Sequence, residues 1–265
     1  MGYPDIQLDV SEHILTITLD RPEQMNALTP AMSDSILTAL EQAGRDDDVR
    51  VVVVTGAGRA FCAGGDMKTM NVRAERERTA VGRIEALQAA GRRIPIVVKR
   101  ITKPVIASIN GAAMGWGCDF AVACDIRIAA DTARFGELFV KRGLIPDGGS
   151  TYNLPRLIGM DRAAELVFTG RIIDAAEALH IGLVTRVVHA ADLDTVTRRL
   201  AEEIAANAPL AVQSAKRLMQ AQLDMTLEQS MEQVTQFLSA LRQSEDHHEG
   251  VAAFLEKREA VFRGV

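Results

Sequence analysis

The stretch Pro104-Val-Ile-Ala-Ser-Ile-Asn110-Gly-Ala-Ala-Met-Gly-Trp-Gly-Cys-Asp119 carries most of the fold information in this chain. Its first part, Val105 to Ile109, is a short apolar run rich in β-branched residues and reads as a buried strand. Three glycines follow within seven residues, at 111, 115 and 117, and Phe120 to Ala123 then continue as an apolar helix. A glycine-rich loop at a helix N-terminus leaves backbone N–H groups free and pointing outward, where the helix dipole favours negative charge. The alternative reading is close strand–helix packing through glycine. Despite its length the stretch is no membrane span, because Asn110, Asp119 and the glycines interrupt it.

A second loop of the same kind lies upstream. Val51 to Val54 is a continuous β-branched run, followed by Thr55-Gly-Ala-Gly-Arg-Ala-Phe-Cys-Ala-Gly-Gly-Asp66. A strand leading into Gly-x-Gly brings dinucleotide binding to mind, but that fingerprint needs glycine or alanine where Phe61 stands. A flexible turn explains Gly56 and Gly58 but not Gly64 and Gly65, which would let a ligand approach the backbone. Two such loops, each after a buried strand, can aim two N–H groups at one oxygen. That is an oxyanion hole, suited to charge developing on a carbonyl.

Around these loops the chain alternates strand and helix. Leu15, Ile17 and Leu19 alternate with Thr16 and Thr18, a half-buried strand. Thr29-Pro30 reads as an N-cap with a first-turn proline, and Met32, Ile36 and Leu40 recur at helical spacing up to Gly44. Residues 67–93 are charged, with Val81, Ile84 and Leu87 at helical spacing, and read as a solvated helix walling a pocket. From about residue 192 the pattern is helical. We therefore expect an α/β core over residues 1–195 and a helical C-terminal region over residues 196–265.

The 265 residues carry a formal net charge of −5, with 48% hydrophobic and 25% charged side chains. This is globular composition, and the acidic balance argues against a nucleic-acid binder. The three cysteines, with no CxxC, argue against a disulfide framework or a Cys-rich zinc site and fit a reducing compartment. No basic segment followed by an apolar one opens the chain, so the expected location is cytoplasmic, with no membrane partner.

The motifs resemble the crotonase (enoyl-CoA hydratase/isomerase) superfamily. The resemblance rests on Phe61-Cys-Ala-Gly-Gly-Asp-Met67, the 104–119 stretch, Phe135-Gly-Glu137 and Gly143-Leu-Ile-Pro-Asp-Gly-Gly149. It is reinforced by Asp20-Arg-Pro-Glu-Gln-Met-Asn-Ala-Leu28, Thr169-Gly-Arg171, Gly182-Leu-Val184 and Ala253-Phe-Leu-Glu-Lys-Arg258. It implies a core of repeated ββα turns and a helical trimerisation region, giving a homotrimer or a dimer of trimers. It also implies an acyl-CoA thioester as substrate, in fatty acid metabolism, with coenzyme A as part of the substrate and no separate cofactor or metal. By the family pattern the oxyanion donors are the backbone N–H groups of Gly65 and Trp116. Met25, Ala27, Ala63, Asp66, Met67 and Phe139 line the substrate and CoA path, and Lys257 and Phe262 approach the CoA from the C-terminal end.

The acids distinguish reactions within the family. Hydratases of the family use two glutamates; Asp119 stands at the first position and Phe139 at the second. Glu137 is two residues early, and an extended chain would point it elsewhere. Eight residues past Phe139 comes Asp147, where dienoyl-CoA isomerases, ring-epoxide isomerases and 4-chlorobenzoyl-CoA dehalogenases carry a catalytic aspartate. The dehalogenase reading wants a histidine near the first glycine loop, and His13, His180, His189, His247 and His248 all lie elsewhere. Asp119 and Asp147 therefore read as the proton-moving pair of an acyl-CoA isomerase. The alternatives are an enoyl-CoA hydratase and, from another class, a non-catalytic scaffold of the same fold. On structural grounds alone, Asp147 is also a turn or helix-capping residue and Asp119 a first-turn helix acid.

Overall fold

The computed structural model describes residues 2–265; Met1 and the side chains of residues 70–74 and 87 lie outside that description. The chain opens with a hairpin, β1 (Ile6–Ser11) and β2 (Ile14–Leu19), and helix α1 (Pro30–Ala43). Then β3 (Val51–Gly56) and β4 (Ala60–Cys62) precede α2 (Met67–Arg76), α3 (Ala80–Gln88) and α4 (Ala90–Arg100). The next turn is β5 (Val105–Ile109), β6 (Ala112–Met114) and α5 (Trp116–Ala123). A third is β7 (Ile126–Ala130), β8 (Arg134–Gly136), α6 (Ser150–Ile158) and α7 (Met160–Thr169). The core closes with β9 (Ile172–Asp174), α8 (Ala175–His180) and β10 (Arg186–Val188). The helices α9 (Leu193–Ala205), α10 (Pro209–Ala221), α11 (Leu227–Leu241) and α12 (Glu245–Glu256) end the chain.

The repeat appears in how strands are dealt between sheets. Among the described residues, the first strand of each turn joins a sheet ordered β1-β2-β3-β5-β7-β10, and the second joins a sheet ordered β4-β6-β8-β9. β3, β5 and β7 run parallel, as do β4, β6 and β8. This is the repeated ββα α/β architecture expected from the motifs.

Parallel strands covered on both faces need apolar side chains on both faces, and the Val51–Val54 run supplies them. Val52 and Val54 pack with Ile17, Leu19, Ile36, Leu40, Ile94 and Phe120 on one side. Val51 and Val53 pack with Ile14, Ile106 and Ile128 against Leu193, Ala201 and Ala205 of α9 on the other. Helix α1 begins as its sequence signals: the Thr29 hydroxyl accepts the Met32 N–H at 3.0 Å, and Pro30 occupies the first turn.

The division read at 195/196 falls inside α9, whose apolar face covers the large sheet and whose Thr197 hydroxyl meets that of Ser108 at 3.0 Å. Farther on, Lys216 of α10 ties the C-terminal helices to the core. Its ammonium pairs with Asp125 at 2.6 Å and donates to the carbonyls of Val98 and Lys103. The apolar positions read in the 67–93 segment face outward: Val81 and Ile84 are exposed, and Leu87 lies outside the described side chains. No described helix is long and apolar enough to cross a membrane.

Candidate active site

Two asparagine amides hold the first glycine loop, the second of them from the start of the other loop. Asn26 is fully buried with φ +55°, and its amide donates to the carbonyls of Ala57 and Ala60 while its oxygen accepts the Arg21 N–H. Asn110 donates to the carbonyls of Gly56 and Gly58. A short parallel bridge joins Leu28 to Gly65, with Leu28 N–H on the Gly64 carbonyl and Asp66 N–H on the Leu28 carbonyl. Arg21 pairs with Asp66 at 3.1 Å. Asp66 also accepts the Lys68 N–H, which, with Arg21, holds its carboxyl below the usual range.

Backbone meets backbone where the loops touch. A side chain at Gly64, whose φ is +101°, would bring its Cβ to 2.9 Å from the Met114 carbonyl oxygen. At Gly117 it would stand 2.2 Å from the Cys62 carbonyl oxygen. Glycine thus lets the start of α5 lie directly on β4. Trp116 is the first residue of α5, so its N–H has no acceptor within the helix. The Gly65 N–H has no backbone acceptor among the described residues. Gly65 and Trp116 both line one cavity of about 650 Å³.

That cavity is walled by Leu28, Ala63, Asp66, Met67, Phe139 and Asp147, with Ala86, Ala89 and Gly91 of the α3–α4 region opposite. The Trp116 indole donates to the Gly91 carbonyl at 2.9 Å and leans on Phe120 at 5.1 Å between ring centroids. Its bulk therefore fixes the position of α4 and shapes the apolar end of the cavity.

Three acids gather at this end. Asp147 is exposed and lies on the cavity wall. It does not cap α6, whose N-cap is Gly149. Asp119, in the first turn of α5, is 0% exposed. One of its oxygens accepts the Gly148 N–H at 2.5 Å and the other has no hydrogen-bond partner. Burial pushes its carboxyl up to about 7; the neighbouring Ser150 and the Gly148 N–H partly offset this, and the nearby Asp147 charge adds to it.

Glu137 corrects the sequence reading. It lies 2% exposed just past β8, where the backbone leaves the extended conformation (φ −91°, ψ 71°) and enters a short 3₁₀ turn. The bend turns the side chain inward, so Glu137 joins Asp119 instead of pointing away. Burial, then the Asp119 charge, pushes it up to about 8.

A family model for enoyl-CoA hydratase/isomerase matches residues 9–265. The chain belongs to the enoyl-CoA hydratase/isomerase family. It is 39% identical to (E)-benzylidenesuccinyl-CoA hydratase of Thauera aromatica, covering 98% of this chain and 99% of that protein. It is 35% identical to 2,3-dehydroadipyl-CoA hydratase of Escherichia coli, over 96% of each chain. The crystal structure of an enoyl-CoA hydratase from Bacillus anthracis superposes with a TM-score of 0.91 at 37% identity, covering 98% of this chain and all of that one. The fold is thus the crotonase fold.

In this family member, Ala63, Gly65, Asp66, Met67, Trp116, Phe139 and Asp147 all line the cavity. Asp119 stands behind the wall, across the Gly148 turn. Met25 and Ala27 are not on the described wall. They act through their carbonyls, which accept the Ala63 N–H and the Arg21 guanidinium. Lys257 and Phe262 are also absent from this wall. Lys257 ends α12 in a left-handed conformation, and Phe262 lines a separate apolar groove with Leu210, Leu241 and Phe254. Sequence reasoning did not single out Leu28, Gly91 or Arg92, which line the cavity from α1's approach and α4.

Proposed function

We propose that the chain adds water reversibly across the double bond of a 2-enoyl-CoA thioester. The reading is carried by one observation: two free backbone N–H groups, of Gly65 and Trp116, line the same cavity as Asp147, with Asp119 directly behind. The hydratase names of the relatives described above support it. The thioester oxygen accepts the two N–H groups, which bind it more strongly as negative charge develops there. Asp147, open to the cavity, takes a proton from water as the oxygen bonds to C3. The enolate then receives a proton at C2 from the Asp147–Asp119 pair, so that one water is added and the pair regains its starting state. Apolar neighbours raise the basicity of Asp119 into the range useful for proton transfer. The reaction needs no separate cofactor, since coenzyme A arrives with the substrate. Assembly through the exposed apolar residues of α11 and α12, among them Leu227, Phe254 and Leu255, fits a homo-oligomer, as trimer or dimer of trimers.

A second reading, migration of the double bond, is favoured by Phe139, which presents a phenyl ring to the cavity beside Asp147. A single carboxylate can carry a proton between two carbons without holding water. The two are separated by offering a 2-enoyl-CoA in ¹⁸O-water and a 3-enoyl-CoA in D₂O, with mass spectrometry of the products. Incorporation of ¹⁸O at C3, lost in Asp147→Asn, supports hydration. Deuterium uptake with a moved double bond and no ¹⁸O replaces it with isomerisation. Neither change overturns both.

A further inference from the structure

We propose that Glu137 is a positioning acid for this site: buried beside Asp119, it donates the hydrogen bond that steadies the Asp119 carboxylate. The inference rests on the reading that Asp119 serves proton transfer at the cavity, and assigns a role to a residue that the mechanism above does not use.

One oxygen of Asp119, both oxygens of Glu137 and the hydroxyl of Ser150 are buried with no hydrogen bond in the described structure. Four such atoms in one pocket are costly unless they serve one another. Ser150 neighbours both carboxyls, the Asp119 charge acts on Glu137, and the Cys118 thiol adjoins Glu137. The groups facing Glu137 are thus Asp119 and Cys118 from α5 and Ser150 at the start of α6, with the charge of Asp147 beyond. Among the described residues no cation pairs with them. Neither acid has an ion-pair partner among the described residues, Lys141 of the following turn is exposed, and Arg171 is engaged by Glu165 and Glu177.

Two carboxylates cannot both stay charged in such a pocket without a cation. An ionised carboxyl only accepts hydrogen bonds, whereas a protonated one also donates. With Glu137 protonated, its O–H is the donor that the free oxygen of Asp119 lacks. Glu137 then keeps its proton while Asp119 exchanges one with the substrate side. The hydrogen bonds agree: Asp119 accepts the Gly148 N–H, which favours its ionised form, whereas neither Glu137 oxygen accepts one in the described structure. Glu137→Gln keeps an N–H donor and removes the ionisation, so it separates the two contributions.

The test is an infrared pH titration of the protonated-carboxyl band in the full-length, substrate-free protein. Two steps are expected in the parent, near 7 and near 8. Glu137→Gln retains the lower step alone, and Asp119→Asn moves the Glu137 step down because the neighbouring charge is gone. A parent spectrum with no such step above about pH 6, or a Glu137→Gln spectrum unchanged from the parent, overturns the assignment. Because the spectra need no turnover, they stand apart from any failure of the enoyl-CoA reading. Where turnover is measurable, the kcat ratio of Glu137→Gln to parent rises about tenfold between pH 7 and pH 9, as the parent's Glu137 ionises. A ratio constant with pH means a structural role only and overturns the proposal. Should Glu137→Gln fail to fold, the Asp119→Asn spectrum and a Glu137→Asp variant, which keeps both steps, decide the matter.

Discussion

Replacing Gly117 with alanine probes the contact that sets the geometry of the two N–H donors. The new Cβ would lie 2.2 Å from the Cys62 carbonyl oxygen, 2.8 Å from the Cys62 Cβ and 2.9 Å from its carbonyl carbon. Ordinary van der Waals contact begins at 3.4 Å, and the obstacle is backbone in a buried strand, which cannot swing aside. The start of α5 must therefore retreat from β4 by about 1 Å, carrying the Trp116 N–H with it. A misplacement of that size costs catalysis about 10²-fold, close to the loss expected for removal of one oxyanion donor. Overpacking of this kind costs about 1–3 kcal/mol of stability, a fall of about 2–12 °C in Tm for a chain of this size. The assay is loss of the conjugated-thioester absorbance on hydration of a 2-enoyl-CoA, giving kcat and KM, with a thermal melt by circular dichroism. Gly65→Ala is the steric comparison: nothing lies within 4 Å of its added Cβ, so its melt should match that of the parent. A Gly117→Ala enzyme with parental kcat and parental Tm would refute the claim that this close approach sets the oxyanion geometry.

Three further outcomes are expected. Asp147→Asn should lower kcat about 10²–10⁴-fold with little change in KM; a parental kcat would remove Asp147 from the chemistry. Stability should fall as pH rises through 7 to 8. Asp119 and Glu137 are raised from 3.8 and 4.5 to about 7 and about 8, so the folded chain binds more protons than the unfolded one between those limits. Their contribution is complete below about pH 4 and is lost through the folded values; urea midpoints at pH 6 and pH 9 measure it, and equal midpoints in the parent contradict it. Lys216→Met should destabilise by about 3 kcal/mol because it leaves the half-buried Asp125 without its cation and the Val98 and Lys103 carbonyls without their donor. A urea midpoint unchanged from the parent would mean that this latch between α10 and the core contributes nothing.

The agreement between sequence and structure follows the range of the forces involved. The Val51–Val54 and Val105–Ile109 strands, the Thr29 cap of α1 and the two glycine loops depend on neighbours a few residues away, so their pattern is written locally. The loops also carry the family motifs, which is why Gly65, Trp116 and Asp147, all on the cavity wall, could be picked out from the sequence. Phe139 on the cavity wall was legible for the same reason.

What only packing decided depends on residues far apart in the chain. Glu137 looked misdirected because a strand alternates its side chains, and the bend that turns it inward occurs where β8 gives way to the 3₁₀ turn. Its burial against Asp119 joins parts of the chain 18 residues apart, and no local pattern encodes the dielectric they share. Met25 and Ala27 act through their carbonyls, which side-chain identity does not reveal. The apolar spacing of Val81 and Ile84 described a helix correctly but not which face meets the core. Residue types and spacings thus named the family and its loops. The burial that raises two carboxyls out of their usual range arises only once distant segments exclude water from the same pocket.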